Sequence, residues 1–400
     1  MARKGFNIRT ALRMMPQELL GECFQEMEVW DQRIAWFLLL DNKVDPILNY
    51  LCEISSVKRD EIETFLRAIS DLACDSGYEA ILESAPLCAV WDLPGEVPTD
   101  LCLWGRTMWV WLHRRNIFDK AQLIHRVETL PWWRKRNDLP QIEANTSAVA
   151  RDALANEISE MLREEGRGKQ CTVEYMHHDS TTYFFAYADD YLQNLNVHNE
   201  EGKLIAITQR QTLQVAFSFN GDQGTLQTFA KLRKPFKERL EKMFSRNILA
   251  YDLGRHEPEP AYELEHLKGG MRNLEVDPAD EIQVSIRRLR LASGAPWRRV
   301  MVEIDGSERE YHMDIAVPDC LNLENIPLNN WGVSLVGFCF EFLPKPGRKP
   351  GRTSFDIVYP HSNNLRDVAP ERLQIIEKYL RLWGIERVSI DESTLITVAS

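Results

Sequence analysis

The sequence predicts an α+β protein in which an all-helical N-terminal domain precedes a β-rich region. Two observations carry this. Hydrophobic residues recur at helical spacing through roughly the first 165 positions, and from Cys171 onward they alternate with period two. A third observation is an apparent internal repeat: residues 171–246 and 298–383 share a layout of two strands, a polar crossover, a two-stranded hairpin and a proline-opened helix. Tyr183 matches Tyr311, Phe217 matches Phe338, Thr225 matches Thr353 and Pro235 matches Pro370. The expected organisation is a Trp-rich helical domain over 1–165, a first antiparallel unit over 166–250, a linker over 251–280 and a second unit over 281–400. The two units are expected to be similar (ββ-α-ββ-α) and pseudo-symmetric, with their sheets paired.

In chain order, Arg3, Lys4, Arg9 and Arg13 precede the first acid, Glu18. This pattern suits a basic first helix better than a transit peptide, because few hydroxyl residues accompany it and no apolar secretory core follows. Pro16 to Leu40 reads as helix through Leu19, Leu20, Phe24, Met27, Ile34 and Phe37. Asp45-Pro46 starts a second helix, with aspartate as cap and proline in the first turn. A third runs from Ser55 or Ser56 through Ile62, Phe65, Leu66 and Ile69 to Gly77. A loop over 86–98 carries Trp91, and two further helices follow until Pro131.

Eight of the 11 tryptophans precede residue 134, and Trp104, Trp109, Trp111, Trp132 and Trp133 are interleaved with Arg106, Arg114, Arg115, Arg134, Lys135 and Arg136. Bases could stack on such aromatics beside phosphate-binding arginines. The seven-residue spacing of Trp104 and Trp111 instead favours a packed helical core with cations on its outer face. A connector over 138–150 and a helix over 151–165 lead into the strands, where Asn220-Gly221-Asp222-Gln223-Gly224 is a hairpin turn. Residues 251–280 are acidic and broken by proline and glycine, as in a linker.

With 44% hydrophobic and 27% charged residues, the 400-residue chain has the composition of a soluble globular protein. A net charge of −12 argues against a protein that coats nucleic acid with its whole surface. No purely apolar run, that through Ala35–Leu40 included, approaches the roughly 20 residues that span a bilayer, so no membrane span is expected. Eight cysteines without a close pair fit a reducing, cytoplasmic setting.

Catalytic signatures are sparse. The sequence has no G-x-x-x-x-G-K-[ST], no G-x-G-x-x-G between strand and helix, no G-x-S-x-G, no C-x-x-C and no H-E-x-x-H. No cofactor and no bound metal are expected. The nearest metal-like cluster, His177-His178-Asp179 with Asp189-Asp190, reads better as a strand end and its turn. A restriction-type nuclease would use Asp179, Glu341 and Asp356, but Asp356 is followed by Ile357 and Val358 where the acid-x-lysine pattern needs a lysine. His361 could serve as a base, though a lone histidine in a polar turn is more often structural.

What stands out is a set of cations in the second β unit: Arg287, Arg288, Arg290, Arg298, Arg299, Lys345, Arg348, Lys349 and Arg352. They form either a contact for an anionic partner, nucleic acid or an acidic protein, or a solvated face that balances the acidic linker. The leading expectation is a non-enzymatic binding or regulatory protein that uses these Arg-rich hairpins. A metal-dependent hydrolase acting on nucleic acid and a structural subunit of a larger assembly are the alternatives.

Overall fold

Local chemistry starts the helices where the sequence marks them. The computed structural model describes residues 6–30, 34, 44–130, 132–178, 180–199, 201–253, 259–270, 274–293, 298–305, 312–321, 327–346, 348–366 and 368–387. Among these, eight helices come first: α1 (Ile8–Met14), α2 (Gln17–Glu26), α3 (Asp45–Glu53), α4 (Ser56–Leu72), α5 (Asp75–Leu87), α6 (Leu93–Glu96), α7 (Leu103–His113) and α8 (Arg115–Glu128). The Asn7 side chain accepts from the Thr10 N–H to cap α1, Asp92 caps α6 in the same way, and Pro46 sits in the first turn of α3. Pro86 stands in the last turn of α5, so the helix reaches further into 86–98 than the loop expected there. The stripe expected on α4 is its buried face: Ile62, Phe65, Leu66 and Ile69 are all at most 4% exposed. The expected helix from Pro16 ends at Glu26, and most of the remaining positions up to Leu40 lie outside the described residues, as do Arg3 and Lys4.

The second unit is built on one ten-stranded antiparallel sheet. Its elements in chain order are β1 (Trp133–Arg136), α9 (Ala148–Arg163), β2 (Cys171–His178), β3 (Thr181–His198), β4 (Leu204–Asn220), β5 (Thr225–Ala230), α10 (Lys234–Ile248), β6 (Ile282–Ser293), β7 (Arg298–Glu303), α11 (Met313–Cys320), β8 (Trp331–Phe342), β9 (Gly351–Val358), β10 (Ser362–Asn363) and α12 (Pro370–Leu382). The strand order is β2-β3-β4-β5-β1-β10-β9-β8-β6-β7. The β4–β5 turn contains Gly224 at φ +59°, where a Cβ would stand 2.1 Å from the Leu139 carbonyl oxygen; only glycine fits there.

The division between the compact units falls between Thr129 and Leu130, upstream of the boundary expected at 165. The physical reason is that β1 is a sheet strand, and α9 buries Leu154, Ile158, Met161 and Leu162 with Phe184, Phe217 and Phe219 of the sheet. Arg134, Lys135 and Arg136, expected on the outer face of a helical core, are buried in the middle of the sheet instead. The stretch expected as a linker also packs: Ala261, Tyr262, Leu264 and Leu267 are at most 2% exposed, and Tyr262 bridges to Glu386.

The segment 310–325, expected as a strand and a polar crossover, is a helix where it is described, α11. The crossover expected in the first copy is strand, β3 running on to His198 against β4, and the strand β6 carries the IRRLRL segment that the repeat left out. Strand register places the covering helices on opposite faces of the two halves. Phe244 of α10 packs on Phe184, Phe217 and Phe219, with ring centroids 5.3, 4.9 and 6.1 Å away. Across the ladder, Phe217 pairs with Thr228 and Thr228 with Arg134, so Arg134 faces α10 as well. Beyond β10, the aromatic face is the other one: Phe338, Phe340, Phe342 and Phe355 lie with Trp383, 6.0 Å from Phe340, just after α12.

Strand β1 therefore meets acids from both sides. Arg134 Nε donates to Glu241 Oε1 of α10 at 2.6 Å, and Arg136 reaches Glu241 Oε2 at 3.3 Å and Asp138 at 2.6 Å. From the opposite face, Lys135 Nζ donates to Glu386 beyond α12. Burial opposes the Lys135 ammonium, but Glu386 and Tyr262 beside it outweigh that and hold its pKa above the ordinary lysine value. Glu241→Ala would leave two buried guanidiniums with one carboxylate fewer between them. It should lower unfolding stability by about 3 to 5 kcal/mol, read by chemical denaturation. Glu238→Ala, whose carboxylate lies 3.8 Å from Arg134 and is a third exposed, should change stability by less than about 1 kcal/mol.

Candidate functional site

The cations singled out in the sequence lie on β6, β7, β9 and the β8–β9 connection, and their surroundings sort them. Alternation along β6 buries Leu289 and Leu291 on the aromatic face and turns Arg288 and Arg290 to the opposite one. Through the ladder, Arg290 pairs with Met301 and Ala292 with Arg299, so Arg299 shares that face and Arg298 takes the other. Arg290 Nε donates to Ser334 Oγ at 2.9 Å, and Ser334 Oγ donates back to the Arg290 carbonyl at 3.1 Å. Arg288 Nη2 meets Asp356 at 2.9 Å.

The Arg288–Asp356 pair passes over Gly337, which is the ladder partner of both residues. A Cβ at Gly337 would stand 2.7 Å from Asp356 Oδ1 and 2.8 Å from Arg288 Cβ. Glycine at this position is what allows the ion pair to span β8. Burial raises the Asp356 carboxyl above its ordinary pKa, with the Arg288 guanidinium opposing.

The remaining cations are less available. Arg287 donates to Ser285 Oγ at 3.1 Å and to the Asp305 carbonyl at 3.3 Å. Arg352 pairs with Glu341 across the β8–β9 ladder at 3.1 Å. Lys345 donates to the Ala279 carbonyl, and the Lys349 carbonyl accepts from Arg372. Arg348 is 6% exposed, lies 5.2 Å from the Phe342 ring and donates to the Glu281 and Leu343 carbonyls. It folds the hairpin onto the sheet. Arg298 and Arg299 are exposed on β7, the last strand of the sheet.

For the nuclease alternative, Glu341 and Asp356 each face an arginine, while Asp179 lies outside the described residues. Among the described residues no group of three His, Cys, Asp or Glu side chains converges as metal ligands, and no helix is long and apolar enough to cross a membrane. His361 sits in the seam: its backbone carbonyl accepts from the Lys135 N–H at 2.7 Å, and its Nδ1 accepts from the Ala261 N–H at 3.4 Å. Burial, with Arg134 and Arg136 nearby, pulls its pKa down to about 4.

Beside the Lys135–Glu386 pair lies a polar cavity of about 180 Å³, lined also by Asn137, Gln223, Arg381 and Arg387. Its cations are matched by carboxylates: Arg387 meets Glu263 at 3.2 Å and Arg381 meets Glu377 at 3.3 Å. Sequence reasoning missed this network because Arg134 and Glu241 are 107 residues apart and Lys135 and Glu386 are 251 apart. The available signal was the segment Trp-Arg-Lys-Arg between Pro131 and Asn137-Asp138, too short to show a period.

Comparison of the sequence with known protein families found no matching family model, and comparison with curated proteins found no match.

Two outcomes are expected. Gly337→Ala should destabilise the protein by about 1 to 3 kcal/mol in denaturant titration, through overpacking between Arg288 and Asp356. The pH dependence follows from His361: its folded pKa is depressed to about 4 from 6.5, so its contribution is intact above about 6.5 and is lost as pH falls towards 4, where only the unfolded chain takes up the proton readily. Thermal unfolding followed between pH 7 and 4 should show this loss, and His361→Gln should flatten it.

Proposed function

We propose that this protein is a non-enzymatic binding protein that adds an acidic extended peptide to the outer edge of its sheet at β7. The observation that carries the reading is the state of that edge. Strand β7 ends the sheet order, no strand among the described residues pairs with its outer side, and Arg298 and Arg299 stand exposed at its start. An unpaired edge supplies backbone donors and acceptors for a new strand, and its side chains supply specificity. Acidic residues beside Arg298 and Arg299, an apolar one beside the half-exposed Met301 and a non-acidic one beside Glu303 would match β7 from end to end.

A protein partner is favoured over nucleic acid by the acids on the same face. Glu303 and Glu341 stand among Arg288, Arg290 and Arg352, and both would repel a phosphate backbone. A cytoplasmic, regulatory role fits the free thiols described throughout the chain and remains part of the same proposal.

The proposal also includes an internal duplication, with the correspondence moved by one strand. Setting β3, β4, β5 and α10 against β8, β9, β10 and α12 makes β1 the axis of a two-fold rotation along the strand direction. Such a rotation exchanges the faces of the sheet, which agrees with α10 and α12 covering opposite faces.

The test is fluorescence anisotropy with labelled extended peptides bearing acidic or glutamine residues at the positions facing Arg298 and Arg299, alongside single- and double-stranded DNA and RNA. The acidic peptide should bind, and Arg298→Glu with Arg299→Glu should weaken it at least about tenfold. Equal binding of the glutamine peptide, or tighter binding of nucleic acid with a steep salt dependence, would overturn the reading.

A further inference from the structure

The helical unit carries a candidate surface of its own. Along α4, Val57, Asp60, Glu61, Thr64, Phe65 and Ala68 fall at i, i+3, i+4, i+7, i+8 and i+11, a single stripe of the helix. That stripe forms one wall of a cleft of about 900 Å³. The facing wall comes from α7 and α8 through Trp111, Leu112, Arg115, Phe118 and Gln122, and the end of α2 contributes Glu26 and Met27. Eleven residue steps along α4 give the cleft a length of about 16 Å, three turns of helix.

The floor is aromatic. Phe65, Trp111 and Phe118 are 4%, 5% and 1% exposed, and the Phe65 and Trp111 rings meet edge-on with centroids 4.6 Å apart. Apolar groups rise to the lip as well, where Val57 is 61% exposed. The charged residues around this floor are mostly of one sign. Glu26, Asp60 and Glu61 are exposed and have no ion-pair partner among the described residues. Among the described lining residues the one cation is Arg115, which meets Asp119 at 3.2 Å and lies over the Trp111 ring at 4.4 Å. Glu26 also closes α2, where the carbonyl end of the helix adds negative potential.

We infer that this cleft docks a cationic amphipathic helix of a partner protein. The apolar face of that helix would lie on Phe65, Trp111 and Phe118, and its lysines or arginines would flank it and meet Glu26, Asp60 and Glu61. The commitment to a basic helix rests on charge: a neutral or acidic helix would find the same floor but would face the three carboxylates of Glu26, Asp60 and Glu61, none of them ion-paired among the described residues. A helix laid into a groove is a common recognition mode, with anchors at the spacing this stripe presents. The inference is independent of the proposal for β7, since it uses neither the sheet nor its arginines.

The experiment uses the full chain with two fluorescein-labelled amphipathic peptides of about 14 residues, long enough to form helix on binding. One carries leucine and lysine, the other leucine and glutamate in the same pattern. Anisotropy should show saturable binding of the lysine peptide and at least about tenfold weaker binding of the glutamate peptide. Asp60→Lys with Glu61→Lys, both at exposed positions, should weaken the lysine peptide by about tenfold or more and narrow the gap between the peptides. Thr64→Trp should block the lysine peptide by filling the cleft, and Glu63→Gln, outside the lining, should leave it unchanged. Equal affinity for the two peptides, or no response to Asp60→Lys with Glu61→Lys in a variant that melts like the parent, would overturn the inference.

Discussion

The placement of three consecutive cations in the middle of a sheet is the constraint on which the second unit depends. Strand β1 supplies Arg134, Lys135 and Arg136, all at most 9% exposed, to the point where the β2–β5 and β6–β10 halves join. A buried charge is tolerated only with a partner, so each face of β1 must bring a carboxylate to it. Glu241 of α10 meets the arginines on one face and Glu386 meets the lysine on the other. These acids bind α10 and the segment after α12 to opposite faces of one strand. Buried pairs of this kind add little net stability over an apolar core, but removing one partner is costly, which ties the two halves to a single register.

From that register follows the character of the exposed faces. Because α10 and α12 cover opposite sides, α12 and Trp383 lie on the aromatic face of the half beyond β10, and the β6 arginines Arg288 and Arg290 lie half-buried on the other face. They are anchored rather than loose, by Asp356 and Ser334. Gly337 is the detail that permits the first of these contacts, since any side chain there would stand between the two charges. The proposed peptide site lies one strand further out, where anchoring ends and the backbone edge is open.

Much of the fold was legible from one-dimensional pattern. The α4 stripe, the β4–β5 turn, the proline that opens α10 and the alternation that buries Leu289 and Leu291 and turns Arg288 and Arg290 to the other face each depend on neighbours within a few residues. Residues 313–320 were not legible. MDIAVPDC is short and apolar, with Pro318 inside it, and such a run does not distinguish strand from helix by period. Among the cations, charge was visible and availability was not: Arg348 and Arg299 look alike in sequence, yet one is packed against Phe342 and the other is exposed on the edge strand.

By itself the sequence determined the α+β class, the helical start, and the identity of most strands, because periodicity and capping are local properties of the chain. Tertiary structure alone decided that Trp133–Arg136 is the central strand of a ten-stranded sheet, that the helical unit ends before it, and that α9 belongs with the sheet. The physical reason is the distance along the chain between the partners. The energy that buries Arg134 and Lys135 comes from carboxylates more than a hundred residues away, and a local pattern carries no trace of a partner that only folding brings near.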